Sequence, residues 1–289
     1  MLGWLVIHHQ KTAERFTANF DLLQQAAKCR GIDLIIKTDK ELFYLLNNGE
    51  DLQDTPDFVI FWDSDMYLAR YLETIGIPLF NCAEAIEGTV NKAITHIKLH
   101  KKKIKMPRTI IAPRDINVSD HVQQEFLIKV VKAFAFPIIL KGCFGSFGNQ
   151  VFLANNDEQL LSLTRQFNFQ PFLYQEFIES SRGRDVRINV VGDKCVAAMY
   201  RYSGNDDFRA NVAVGGKVEK YEPSAKEKDI AIRACQALNL DFAGVDLLFD
   251  EDGDPIVCEV NSSALIKTIS ELTGVNVASH IIEHIEKKF

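Results

Sequence analysis

One stretch constrains this chain more than any other: residues 242–261, FAGVDLLFDEDGDPIVCEVN. Two apolar runs flank Asp252-Gly253, a dipeptide that favours tight hairpin turns, with Pro255 just beyond. A loop of Glu251 to Asp254 pairs Asp250 with Pro255, Leu248 with Val257 and Asp246 with Glu259. Val245, Leu247, Phe249, Ile256, Cys258 and Val260 then share one wholly apolar face, which belongs in a core. The opposite face carries Asp246, Glu259 and Asn261. Two carboxylates directly opposite each other destabilise a sheet by up to about 1 kcal/mol. A divalent cation reverses that sign, and three oxygen-bearing side chains suit a hard ion such as magnesium. A solvated acidic face is the other reading, and the commoner one for an arbitrary hairpin.

The 289 residues suffice for two or three lobes. A net charge of −6 argues against a whole-surface nucleic-acid binder and leaves room for local basic patches. The six cysteines are scattered, none in a C-x-x-C pair, and read as free thiols of a reducing cytosol; the expected location is cytoplasmic. The apolar start is too short for a signal peptide and lacks a basic flank. No segment has the length of a membrane span.

Strands at Leu2–Ile7, Leu34–Ile36 and Phe58–Trp62 alternate with helices at Phe16–Cys29 and Met66–Ile75. That pattern predicts a parallel sheet and an N-terminal α/β lobe over residues 1–88. No G-x-G-x-x-G follows the first strand, so a dinucleotide site is unsupported. Asn91–Lys103 reads as a helix whose last four lysines suit solvent and the helix dipole. Lys92, at the helix start, gains nothing from the dipole, and a ligand phosphate is one reason for it. Strand Ile138–Leu140 runs into Lys141, followed by Gly142, Gly145 and Gly148. Glycines at this spacing let backbone amides approach a phosphate, and Lys141 supplies a point charge. The lysine precedes the glycines and no helix follows, so the loop is neither a Walker nor a Rossmann loop; a plain glycine-rich hairpin stays open. Phe172–Ile178 ends a small central α+β lobe over 89–178. In the last lobe, 179–289, Arg184–Val191 and Lys194–Arg201 pair about Gly192-Asp193. This sets Arg187 opposite Ala198, Asp185 opposite Tyr200 and Arg184 opposite Arg201, with Val186, Ile188 and Val190 inward. Ser224 and Glu227 form a capping box for the helix at Lys226–Leu238. His280 and His284, near the end, read as surface histidines.

Singly these signals are weak; their order is specific. Lys141 with its glycines, Gln175-Glu176-Phe177-Ile178, Gly183-Arg184-Asp185-Val186-Arg187, Asp207-Phe208-Arg209-Ala210-Asn211, Ala243-Gly244-Val245-Asp246 and Glu259-Val260-Asn261 follow one another across residues 88–285. In this the chain resembles the ATP-grasp superfamily, and within it the RimK-like alpha-L-glutamate ligases. The resemblance implies an α/β and α+β ATP-grasp fold with an N-terminal parallel-sheet lobe. It implies ATP contacts by Lys92, Lys141, Gly145, Ser146, Glu176, Phe177, Asp185, Arg209 and Asn211. It implies Mg2+ or Mn2+, two ions, on Asp246, Glu259 and Asn261. Arg187, Arg201 and Arg209 become the catalytic cations. The implied reaction joins a carboxylate to an amine through an acyl phosphate. The acceptor is left open among proteins, peptides and small molecules, and a homo-oligomer is left open too. One departure stands out: Ser262-Ser263-Ala264-Leu265 occupies the place of the small residue, Ser and Pro-Gly usual in such ligases. It puts the acceptor substrate in doubt. It also keeps open a nucleotide-binding regulator without ligase activity; an ATP-grasp kinase is a further alternative.

Overall fold

A short strand that is apolar at every position needs cover on both faces. In β1 (Leu2–Ile7), Leu5 and Ile7 enter one core while Trp4 and Val6 enter another. The chain continues through α1 (Glu14–Lys28), β2 (Asp33–Thr38), β3 (Phe58–Phe61), α2 (Met66–Thr74) and β4 (Leu79–Phe80). These strands form a sheet ordered β2-β1-β3-β4, parallel throughout, as the strand–helix alternation predicts. This computed structural model describes residues 1–42, 55–114, 120–145, 148–167, 169–204, 207–210 and 215–289.

Next come α3 (Ala83–Val90), α4 (Lys92–Lys101), β5 (Thr109–Ile111), α5 (Asp120–Ala133), β6 (Ile138–Gly142), β7 (Val151–Ala154), α6 (Asp157–Phe167) and β8 (Phe172–Glu176). The strands make an antiparallel sheet, β5-β8-β6-β7. Strand alternation divides β6. Ile138 and Leu140 pack with Val130, Phe134 and Leu160 of the covering helices, and Ile139 and Lys141 face an open cleft.

The last part holds β9 (Arg184–Val191), β10 (Lys194–Tyr202), β11 (Lys217–Lys220), α7 (Ala225–Ala237), β12 (Phe242–Phe249), β13 (Pro255–Asn261), α8 (Lys267–Thr273) and α9 (Val277–Glu286). Its antiparallel sheet runs β11-β10-β9-β12-β13. Val186, Ile188, Val190, Val245 and Leu247 pack on Ile230, Ala234 and Leu238, and the Ser224–Glu227 capping box is formed.

Both hairpins depart by one residue from the simple registers. A bulge between Cys195 and Ala197 sets Arg187 opposite Met199, Asp185 opposite Arg201 and Arg184 opposite Tyr202. In β12–β13 the loop closes with Phe249 opposite Pro255. There Asp250 Oδ1 accepts the backbone N–H groups of Asp252 (3.1 Å) and Asp254 (2.8 Å), a side-chain lock typical of such turns. A second bulge then restores Asp246 to its place opposite Glu259. Its extra residue is Cys258, so Val257, not Cys258, joins the core.

Two buried asparagines tie the first sheet to the last part of the chain. Asn19 Oδ1 accepts from Ile266 N (2.7 Å) and Lys267 N (2.9 Å) at the start of α8. Asn81 Nδ2 donates to Phe242 O (2.9 Å) and Ser262 O (3.2 Å), and its Oδ1 accepts from Asp241 N (2.7 Å). His284 is half-buried rather than a free surface group, its Nε2 lying 3.0 Å from Asp241 Oδ1. Asn19→Ala strands two buried N–H groups and is expected to lower the unfolding free energy in a urea titration by about 2–4 kcal/mol. A loss under about 0.5 kcal/mol would contradict this.

Candidate active site

The cleft is open to solvent and lies between the middle and C-terminal sheets. Ile139, Lys141 and Gln175 line it from one side and Asp185, Arg201, Asp246 and Glu259 from the other.

Cations gather at the glycine loop. Asn91 caps α4, accepting from Ala93 N at 3.0 Å, and so fixes Lys92 as the first helical residue. Lys92 Nζ donates to Gly145 O (2.9 Å) and lies 3.3 Å from Glu259 Oε1. One ammonium thus joins the loop to β13. Lys141 Nζ reaches Cys258 Sγ at 3.7 Å. Gly145 has φ +135°, which favours glycine, and at Gly142 a Cβ would displace the Gln150 side chain. Arg209 is paired with Asp207, and its Nη1 donates to Gly148 O (3.0 Å), a second strap onto the loop. Ser146 and Asn211 lie outside the described residues.

Charges also fill the cleft face of the C-terminal sheet. Register places Asp246 between Arg187 on β9 and Glu259 on β13. Arg187 holds both oxygens of Asp246 in a fork, Nη2 to Oδ2 at 2.7 Å. Arg201 gives two hydrogen bonds to Asp185 (2.6 and 2.8 Å) and lies 3.0 Å from Asp246 Oδ1. Burial pushes the Asp246 carboxyl up, but the two guanidinium groups outweigh it and hold the group below the usual carboxylate range. Arg187 and Asn261 are not among the residues lining the cavity, and Asn261 Nδ2 is buried without a partner. Asp246, Glu259 and Asn261 carry oxygens of the kind a hard divalent cation takes, and both Asp246 oxygens are held by Arg187, with Arg201 beside one of them. Arginine and lysine now balance the charges of the two carboxylates.

A family profile described as RimK-like ATP-grasp domain matches residues 89–285. The chain belongs to the RimK-like ATP-grasp family. It is 38% identical over 221 residues to a probable alpha-L-glutamate ligase of Legionella pneumophila, covering 76% of this chain and 70% of that one. An uncharacterised Mycoplasma pneumoniae protein is 32% identical over 271 residues, 92% of each chain. The crystal structure of a RimK domain ATP-grasp protein from Sphaerobacter thermophilus shares the fold with a TM-score of 0.74 at 19% identity, over 99% of this chain and 100% of that one. Family membership makes this protein an ATP-dependent carbon–nitrogen ligase with the ATP-grasp fold.

At the other end of the ATP-grasp cleft the walls are apolar: Ile139, Phe177, Ile178 and Leu248. The Arg182 guanidinium stacks 4.7 Å from the centre of the Phe177 ring. Glu176 lines the cavity too, but its Oε1 accepts from Arg108 N at 2.7 Å, so its carboxylate is committed to β5's approach. The sequence reading missed Leu248 and Cys258 as cleft residues, because the bulge that turns Cys258 toward Lys141 has no compositional signal. It also missed His96. This ring is 7% exposed, its Nδ1 2.9 Å from Lys92 O, and its Nε2 accepts from Gln175 Nε2 at 2.8 Å. It braces the Lys92 turn against the strand leading to Glu176.

Burial pushes the His96 ring down to about 4, only partly opposed by its bond to the Lys92 carbonyl. Between that value and the ordinary 6.5 the unfolded chain binds more protons, so stability rises with pH through this window and is lost on acidification. Denaturant titrations at about pH 7 and pH 5 should show wild type losing about 2 kcal/mol from this group. His96→Gln should not show that part of the loss; an equal loss in both proteins would refute the assignment.

Proposed function

We propose that the protein joins a carboxylate to an amine through an acyl phosphate formed from ATP. The transferred group is glutamate or a similar amino acid, added to a protein, a peptide or a small molecule. The observation that carries this reading is one cleft ringed by Lys92, Lys141 and Arg201 together with Asp185, Asp246 and Glu259. Phosphoryl transfer needs positioning and charge neutralisation more than a protein nucleophile. Glutamate is suggested by the name of the Legionella relative.

In this reading Lys141 and Lys92 hold the phosphates with the loop at Gly145 and Ser146. Glu176 and Phe177 hold the adenine, and Asp185 lies on the ribose side. Arg209 and Asn211 approach the phosphates. Asp246, Glu259 and Asn261 hold Mg2+ or Mn2+, two ions. Bound there, divalent ions would neutralise phosphate oxygens and keep the γ-phosphate in line. Arg187 and Arg201 orient the substrate carboxylate. One of its oxygens attacks the γ-phosphorus, and the β,γ-bridging oxygen leaves with ADP. The amine nitrogen then adds to the acyl carbon, phosphate departs, and loss of the amine proton leaves an amide. Residues 89–178 and 179–289 act as the two jaws on ATP, with the lobe of residues 1–88 packed against the second of them.

The test is a screen of amino acids and small peptides for ADP release, with product masses by mass spectrometry. An amide product, and a hydroxamate when hydroxylamine replaces the amine, are expected. ADP release with neither product would refute ligation. Glu259→Gln should lower turnover by about a hundredfold or more at saturating Mg2+ while keeping its melting temperature. Wild-type turnover in that variant would remove the metal assignment.

A further inference from the structure

An amine that joins an acyl phosphate arrives as an ammonium ion at neutral pH, and its nitrogen attacks only after a proton is lost. Among the described residues lining the cleft, every carboxylate already faces a cation. Asp185 and Asp246 face Arg201, Glu176 faces Arg108 and Glu259 faces Lys92. His96 is buried with both ring nitrogens engaged. The proton therefore needs another acceptor.

One imidazole has the geometry for this task. β1 and β2 run parallel with Ile7 opposite Thr38, so His8 and Asp39 leave the same edge of the first sheet side by side. A tight turn follows β1, closed by Lys11 N donating to His8 O at 2.9 Å. It brings the rings of His8 and His9 to one side, stacked with their centres 4.5 Å apart. Asp39 Oδ1 accepts from His9 N at 2.7 Å, and both Asp39 oxygens lie 2.9 Å from His9 Nδ1. Burial pushes the Asp39 carboxyl up, but the bonds from His9 outweigh it and keep the group ionised. An ionised carboxylate only accepts, so Nδ1 carries the proton and the lone pair of the neutral ring is on Nε2. Nε2 has no partner among the described residues, and the His9 side chain is 26% exposed. His8 is held the other way. Its Nδ1 accepts from Gln10 N at 3.1 Å, so its own proton is on Nε2, 3.8 Å from Asp39 Oδ2. Stacked rings cannot aim two lone pairs at one ion, so the trio suits a proton rather than a metal.

Direct contacts lead from this turn to the strand of Asp246. Lys11 Nζ donates to Trp62 O at 3.1 Å. The Trp62 ring stacks on Phe242, the first residue of β12, and lines a small cavity with Asn189 and Ala264. A Cβ at Gly244 would lie 2.6 Å from Ala264 Cβ and 2.9 Å from Arg187 Cδ, and Asp246 follows two residues along β12. We propose that His9, oriented by Asp39, is the general base that takes the proton from the incoming amine. The inference rests on the acyl-phosphate reading above. His9 Nε2 accepts one proton from the ammonium group, and the freed lone pair forms the carbon–nitrogen bond. The bond from the acyl carbon to the phosphate oxygen breaks, and phosphate leaves with that electron pair and the second amine proton. The imidazolium rests beside the Asp39 carboxylate until water takes its proton. Asp39 and His8 act through the ring and are positioning residues.

Hydroxylamine separates this role from a structural one, because it is unprotonated at neutral pH and attacks an acyl phosphate without a base. The carboxylate and the amine are the pair that releases ADP in the screen above. In single-turnover measurements His9→Gln should lower amide formation about a hundredfold or more and keep hydroxamate formation within about twofold of wild type. Asp39→Asn should lower amide formation about tenfold or more and spare the hydroxamate likewise. In His9→Ala, added imidazole should restore part of the amide rate and leave the hydroxamate rate unchanged. If Asp39→Asn does not fold, His9→Gln still decides, since the ring is partly exposed and its bonds run to Asp39. An equal loss of amide and hydroxamate in His9→Gln would make the turn structural and overturn the proposal. Wild-type amide formation in that variant would refute the base and leave the ligase standing. A wild-type protein that forms neither product would refute the ligase reading, and the proposal with it.

Discussion

Arg187, Arg201, Asp185 and Asp246 form a buried network across three strands, and the register of the C-terminal sheet depends on it. Taking such charges out of water costs several kcal/mol each, so they are tolerated only when the geometry pairs every one of them. A slip of one residue would carry Val186 and Ile188 to this face and the charges into the core. Removal of one member leaves another charge buried and unpaired, at a cost of about 3–5 kcal/mol. The network therefore locks β9, β10 and β12 to one another and fixes the shelf on which Glu259 stands.

Much of this was legible beforehand. Alternation along residues 186–190 and the apolar runs of β1 and β3 point to their cores without any structure. The Ser224–Glu227 box marks its helix end by local chemistry alone. The Asp246–Glu259 pairing was foreseen from a register that holds at that pair and fails nearer the turn, where the Asp250 lock and the Cys258 bulge each shift the count by one. Bulges escape sequence reading because an extra residue costs little and changes no pattern of polarity. The Asp185–Arg201 pair escaped for the same reason. Long-range polar ties escaped because nothing near Asn19 or Asn81 names a partner more than 150 residues away.

The cleft itself is held by few bonds. Lys92 links the glycine loop to Glu259, and Arg209 links the loop to the segment before β11. Both use carbonyl oxygens of glycines, whose backbones are free of side chains that would block a phosphate. His96 and Gln175 stand behind Lys92 and keep that end of α4 in place. A neutral, buried ring suits this task, since it gains no charge near the lysines over ordinary pH.

The core beneath α1 draws Leu5, Phe20 and Phe58 together with Phe242, Ile266, Ile281 and Ile285. Residues from the first strand and the last helix thus share one apolar volume. On a ribosome the first sheet can form early, with α1 covering part of this face, yet the cover that α9 supplies arrives only after most of the chain has been made. Until then the nascent polypeptide carries a partly open apolar surface.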